Sequence, residues 1–215
     1  MFSVTISIIV ITVLISLAGF NSPKVINDLI FSPYTINHEK NQWYRFITHG
    51  FIHGGWFHLI INMWAFYSFG ESLEKYYFAQ PELFGTNAKI FYIFLYVGGL
   101  IASSIPDYFK YRDIPQYRAL GASGAISSIV FATIILSPGI GIGLLFIPIP
   151  IPGYIFGVGF ILISAYFERK GNTNWAHGAH IYGGLFGILF VIIATKIFTN
   201  YNAVESFIMQ ISRRY

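Results

Sequence analysis

No cysteine occurs anywhere in the 215 residues. That absence removes disulfides, thiolate nucleophiles, Cys-based zinc sites and iron–sulfur clusters together, and leaves hydroxyl and imidazole groups as the reactive side chains. Charge is scarce as well. Asp, Glu, Lys and Arg make up 10% of the chain, against roughly 25% in an ordinary soluble domain. Hydrophobic residues reach 55%, aromatics 19%, and the mean hydropathy is +0.61. This is more apolar surface than one soluble core of this length can hide, so the surplus faces lipid and a soluble enzyme is excluded. The net charge of +4 rests on 13 Lys and Arg, scattered singly between apolar runs. They form no basic stripe, so no nucleic-acid partner is expected.

Six apolar stretches, at about 4–20, 54–70, 88–104, 121–137, 153–167 and 178–198, approach the roughly 20 residues that a hydrocarbon core requires. Their continuity, without two-residue alternation, argues for helices rather than a barrel. The expectation is an all-α, polytopic membrane protein: one six-span domain over residues 1–215, with no separate soluble domain. No Lys or Arg precedes the first run, so it reads as a retained span rather than a secretory signal. Between the runs lie a long loop (Asn21 to Gly54), links at Glu71 to Asn87 and Pro106 to Leu120, a Pro-rich turn (Ile147 to Gly153), and Glu168 to Trp175.

Polar side chains inside membrane spans are costly and mark function by default. Three clusters qualify: Thr48 to Asn62, with His49, His53, His58 and Asn62; Gly121-Ala122-Ser123-Gly124-Ala125; and Ala176 to Gly183, with His177 and His180. They open the second, fourth and sixth spans, and even-numbered spans all begin on one side of the membrane. Ser123, three residues into its expected helix, lies where backbone N–H groups lack intrahelical partners. The set supplies a nucleophile (Ser123), a base (His180) and oxyanion donors (the Ser123 amide, His58 and Asn62), the parts needed for acyl transfer. With no Asp or Glu inside any expected span, this would be a dyad. Taken singly, each motif has a plainer explanation. Serines near helix ends bond backbone carbonyls, His58 and Asn62 serve as interhelical glue, and Gly183-x-x-x-Gly187 is a packing motif. The coincidence on one face is what carries weight.

Together these residues resemble the rhomboid intramembrane serine proteases. His53-x4-His58-x3-Asn62, Gly121-x-Ser123-Gly124 and Ala179-His180-x2-Gly183-x3-Gly187 match in order and spacing, and the likeness runs from about Trp43 to Ile197. It implies a six-helix rhomboid bundle of minimal form, with Ser123 as nucleophile, His180 as general base, and His58 and Asn62 stabilising the oxyanion. His53, Arg45 and Glu74 then take structural roles, and Gly121 and Gly124 frame the serine. The implied substrates are membrane-spanning proteins cleaved near the bilayer surface, with no metal or other cofactor. The implied location is a bacterial plasma membrane with the active face turned away from the cytoplasm. The basic residues lean the other way. Lys24, Lys40, Arg45, Lys110, Arg112, Arg118, Arg169 and Lys170 belong to the active face, against Lys75, Lys89, Lys196, Arg213 and Arg214 opposite.

One departure stands out: many members carry an aromatic residue four positions after the serine, packed on the catalytic imidazole, whereas this chain has Ser127. His177, one turn before His180, is the available substitute support. Two other readings remain open. One is a relative that binds membrane helices without cutting them, and the other is a metal-binding or transport protein using His49, His53, His58, His177 and His180.

Overall fold

A computed structural model describes residues 3–144, 147–170 and 177–213. Helix α1 (Val4–Asn21) is followed by the short helices α2 (Pro23–Leu29), α3 (Pro33–His38) and α4 (Arg45–Thr48). Then come α5 (Trp56–Ser72), which runs on through a π-helical turn (Leu73–Phe78), α6 (Ala88–Tyr111) and α7 (Ser123–Leu136). A hairpin of β1 (Gly141–Leu144) and β2 (Ile147–Pro152) precedes α8 (Gly153–Lys170), α9 (His177–Phe198) and α10 (Ala203–Ser212). The fold is a helical membrane bundle. Each of the six expected stretches is a helix, and three of them (Val4–Asn21, Gly85–Tyr111 and His177–Phe198) are long and apolar enough to cross a membrane. Helix α5 is shorter at 17 residues, and α8 ends in Glu168, Arg169 and Lys170.

Burial follows the logic of a chain dissolved in lipid. Large apolar side chains point outward on α5 (Trp56, Ile60, Trp64), α8 (Val158, Leu162, Ile163) and α9 (Leu189, Ile193). Small polar ones such as Thr12, Ser16, Ser103, Ser128 and Thr133 are buried between helices. Since lipid tails are as apolar as leucine, close contact and interhelical hydrogen bonding have to hold such helices together.

The centre of the bundle is α7, of whose 14 residues nearly all are buried; it packs most extensively on α9 and then on α6. Glycine permits that contact. A Cβ on Gly183 would fall within 3.0 Å of the Gly124 carbonyl, and one on Gly187 within 3.0 Å of the Ser128 carbonyl. Two glycines four apart on α9 thus ride over two carbonyls four apart on α7, which fixes the helices' relative register.

Several boundaries depart from the sequence reading. Helix α7 begins at Ser123, with Ala122 as its N-cap, rather than at residue 121, because Gly121 adopts φ +112°, outside the helical region. Helix α6 does not stop near residue 104 but continues through Pro106 to Tyr111. The hydrogen bond that proline forfeits is offset by the packing of the last turns, where Tyr108 meets Trp43 and Phe46 and Asp107 accepts from Tyr117. The Pro-rich stretch is a strand, not a turn: prolines at every second position leave the intervening N–H groups free to pair on one side. The loop from Asn21 to Gly54 is itself folded, as α2 to α4 and a 3-10 turn (His49–Phe51). Most of the Glu168 to Trp175 link, together with Ala176 and Arg214, lies outside the described residues.

Candidate active site

The register set by Gly183 and Gly187 places His180, three residues before the first of these glycines, opposite Ser123, one residue before Gly124. His180 Nε2 and Ser123 Oγ are 3.0 Å apart. With the ring proton on Nδ1, the serine hydroxyl donates to Nε2, the arrangement a general base needs. Because Ser123 is the first residue of α7, its own N–H is one of the donors a helix leaves without an intrahelical acceptor.

The pair faces a cavity of about 820 Å³ whose walls include Ser123, His180, His58, Asp107, Tyr117 and Glu168. His58 enters from the first turn of α5. Its Nδ1 accepts from the Gly54 N–H at 3.5 Å, and its ring lies on Gly121, where a Cβ would come within 2.7 Å of Cε1. Gly121 is therefore needed twice, for its positive φ and for the imidazole above it. Its N–H donates to the His49 carbonyl at 2.9 Å, tying the approach to the serine to the first loop. Asn62, one turn below His58, is buried and donates one amide hydrogen to the His58 carbonyl at 3.0 Å. It does not line the cavity.

Of the remaining residues singled out in the sequence, His53, His49, Arg45 and Glu74 are all buried, with Glu74 at the end of α5 remote from His58. His53 bonds Ser16 Oγ through Nδ1 at 3.0 Å and meets His58 edge-on. His49 bonds Ser104 at 3.1 Å, and burial lowers its pKa to about 4, so it is neutral at physiological pH. Arg45 is buried and pins the first loop, donating to the carbonyls of Asn27 and Ile30 at 2.8 and 2.9 Å and to Gln42. Glu74 is buried in the π-helical turn and accepts from the N–H groups of Val4 and Thr5, at 2.8 and 2.9 Å, and from the Thr5 hydroxyl. It thereby fills the orphan donors at the start of α1. Among the described residues no three His, Asp or Glu side chains stand together as potential metal ligands.

Three features escaped the sequence reading. Asp107 reaches the cavity because α6 outruns its expected end, and Tyr117 donates to it. Burial and that carboxylate push the Tyr117 phenol well above its ordinary pKa, so it remains a donor. Glu168 pairs with Lys110 across the cavity rim at 3.2 Å and accepts from the Gly178 N–H at 2.9 Å, joining α6, α8 and the start of α9. Lastly, Phe160 of α8 lies 5.8 Å from the His180 ring. Phe160 and Phe167, seven residues apart, share one face of α8, and that spacing was the available signal.

The Rhomboid domain family matches residues 40–197. RHOMBOID-like protein 12, mitochondrial, of Arabidopsis thaliana is 28% identical over 169 residues, which are 76% of this chain and 49% of that protein. The chain therefore spans about half the length of that curated relative.

Proposed function

This chain belongs to the rhomboid family, and from that premise we propose that it is an intramembrane serine endopeptidase working through a Ser123–His180 dyad. The observation that carries the reading is the 3.0 Å contact between Ser123 Oγ and His180 Nε2, at the wall of a cavity within a membrane bundle. Ser123 Oγ attacks the scissile carbonyl carbon while His180 Nε2 takes the hydroxyl proton. The oxyanion that forms is held by the Ser123 N–H and the His58 ring, and the second amide hydrogen of Asn62, which lies behind the cavity wall in the free protein, joins them as bound substrate tightens the site. As the C–N bond breaks, His180 returns the proton to the leaving amine. The acyl-enzyme is then hydrolysed by a water that His180 deprotonates. A positioned base contributes typically about 10² to 10⁴ in rate, so its presence separates a working serine from an inert one.

The substrates fitting such a site are membrane-spanning segments with small or helix-breaking residues near the cleaved bond, since a regular helix hides its carbonyls. All six helices span the membrane in this reading, and the resemblance to the family, against the distribution of Lys and Arg, turns the cavity to the non-cytoplasmic side of a bacterial-type plasma membrane. Because the chain has no native cysteine, single cysteines placed in the loops report that orientation cleanly with an impermeant maleimide.

The deciding experiment is labelling of purified protein with a fluorophosphonate probe, which requires no known substrate. Wild type is expected to label, and Ser123→Ala and His180→Ala to lose labelling while retaining their fold. A folded wild type that fails to label would overturn the reading and favour a relative that binds membrane helices without cutting them.

A further inference from the structure

The catalytic imidazole needs a wall beside it, and Ser127, one turn after Ser123 on α7, carries no ring to provide one. The wall comes from α8. Phe160 meets the His180 ring with centroids 5.8 Å apart and planes tilted by 36°, inside the range in which aromatic pairs attract. One heptad on, Phe167 stacks on His177 at 5.3 Å and 21°, and His177 meets His180 edge-on at 6.1 Å. Phe160 is itself fixed, stacked with Phe156 at 5.7 Å and tilted against Phe131 of α7 at 6.0 Å. Phe131 in turn fills the space left by Gly157 and Gly184, where added Cβ atoms would approach its ring to 3.3 and 2.7 Å. A continuous aromatic seam thus runs from the core of α7 through α8 to the imidazole.

We propose that Phe160 is the positioning residue for His180, so that the alignment of the dyad depends on where α8 stands. The proposal rests on the protease reading above. It assigns no chemistry to Phe160, whose part in the reaction is confined to its contact with the ring of the base. It makes α8 more than a wall of the bundle, since any displacement of this helix withdraws the support of His180 while Ser123, on α7, stays in place.

The test uses the full chain in detergent micelles, with Phe160→Leu to keep bulk and remove the ring, Phe160→Tyr to restore it, and Ile163→Ala as a lipid-facing change on the same helix. Fluorophosphonate labelling is resolved into probe affinity and maximal inactivation rate, and the His180 ring signal is followed by NMR with labelled histidine. Phe160→Leu is expected to lower the maximal rate about tenfold, the scale of one aromatic contact, with probe affinity unchanged. Phe160→Tyr and Ile163→Ala are expected to stay close to wild type, and the His180 signal to move in the Leu variant alone. Equal rates for Leu and Tyr, an equal loss in Ile163→Ala, or an unmoved His180 signal would overturn the assignment. Should wild type fail to label while the signal still follows Phe160, the protease reading fails and the positioning role falls with it, although the ring contact stands.

Discussion

Replacing Gly183 with alanine tests whether the dyad is set by backbone contact between α7 and α9. The added Cβ would enter within 3.0 Å of the Gly124 carbonyl carbon and oxygen, which are main-chain atoms with no rotamer to yield. The helices must part by about 1 Å, and a misplacement of about that size costs on the order of 10² in rate when it separates reacting groups. His180 lies one turn from Gly183, so the 3.0 Å bond to Ser123 takes the displacement directly. Gly184→Ala is the internal comparison. Its Cβ would meet the Phe131 ring at 2.7 Å, a side chain rather than main chain, so any effect reaches His180 only indirectly, through the contact of Phe131 with Phe160. Fluorophosphonate labelling should fall about 10²-fold in Gly183→Ala and no more than several-fold in Gly184→Ala, with both proteins still helical by circular dichroism. Equal losses in the two variants, or a Gly183→Ala protein that labels like wild type, would refute the argument that glycine register builds the site.

Other consequences are open to measurement. Asn62→Ala should lower kcat by about 10² to 10³ with little change in KM, the usual cost of a lost oxyanion donor, and an unaltered kcat would remove Asn62 from the mechanism. Glu74→Ala leaves two N–H groups at the start of α1 without an acceptor and should destabilise the protein by about 2–4 kcal/mol, read as a lower thermal midpoint in detergent. A variant as stable as wild type would refute that role. His49 has a folded pKa of about 4, below its ordinary 6.5. Its contribution to stability is therefore complete above about pH 6.5 and is lost as pH falls toward 4, by about 3 kcal/mol in total. His49→Gln should flatten the fall in thermal midpoint over that window, and an identical slope in the variant would count against the assignment.

The sequence was most informative where chemistry and lipid impose hard limits. Continuous apolar runs gave the helical membrane bundle, and polar residues inside those runs led to Ser123, His180 and His58, all of which face one cavity. It was least informative where tertiary contact overrides local preference. Pro106 looked like a helix end, yet α6 passes through it because Asp107 and Tyr108 find partners beyond. The alternating prolines of β2 looked like a turn because pairing along a single edge of a hairpin leaves no strong local signature. The support of His180 by Phe160 depends on how α8 lies against α9, and one phenylalanine among 22 does not declare its neighbour.

Enclosure of α7 by its neighbours frees its length from the thickness of the bilayer. Its 14 residues rise about 21 Å, well short of a hydrocarbon core of roughly 30 Å, and since almost none of them meets lipid the shortfall incurs no exposed mismatch. The depth of Ser123 is then a property of the protein alone, measured upward from the foot of a buried post. A single residue inserted into or deleted from that post would lift or lower the serine by about 1.5 Å and swing it by about 100° around the helix, away from His180. Helix α7 can therefore exchange side chains over evolutionary time but cannot change its count of residues, whereas the lipid-facing helices around it are free to lengthen and shorten with the membrane they inhabit.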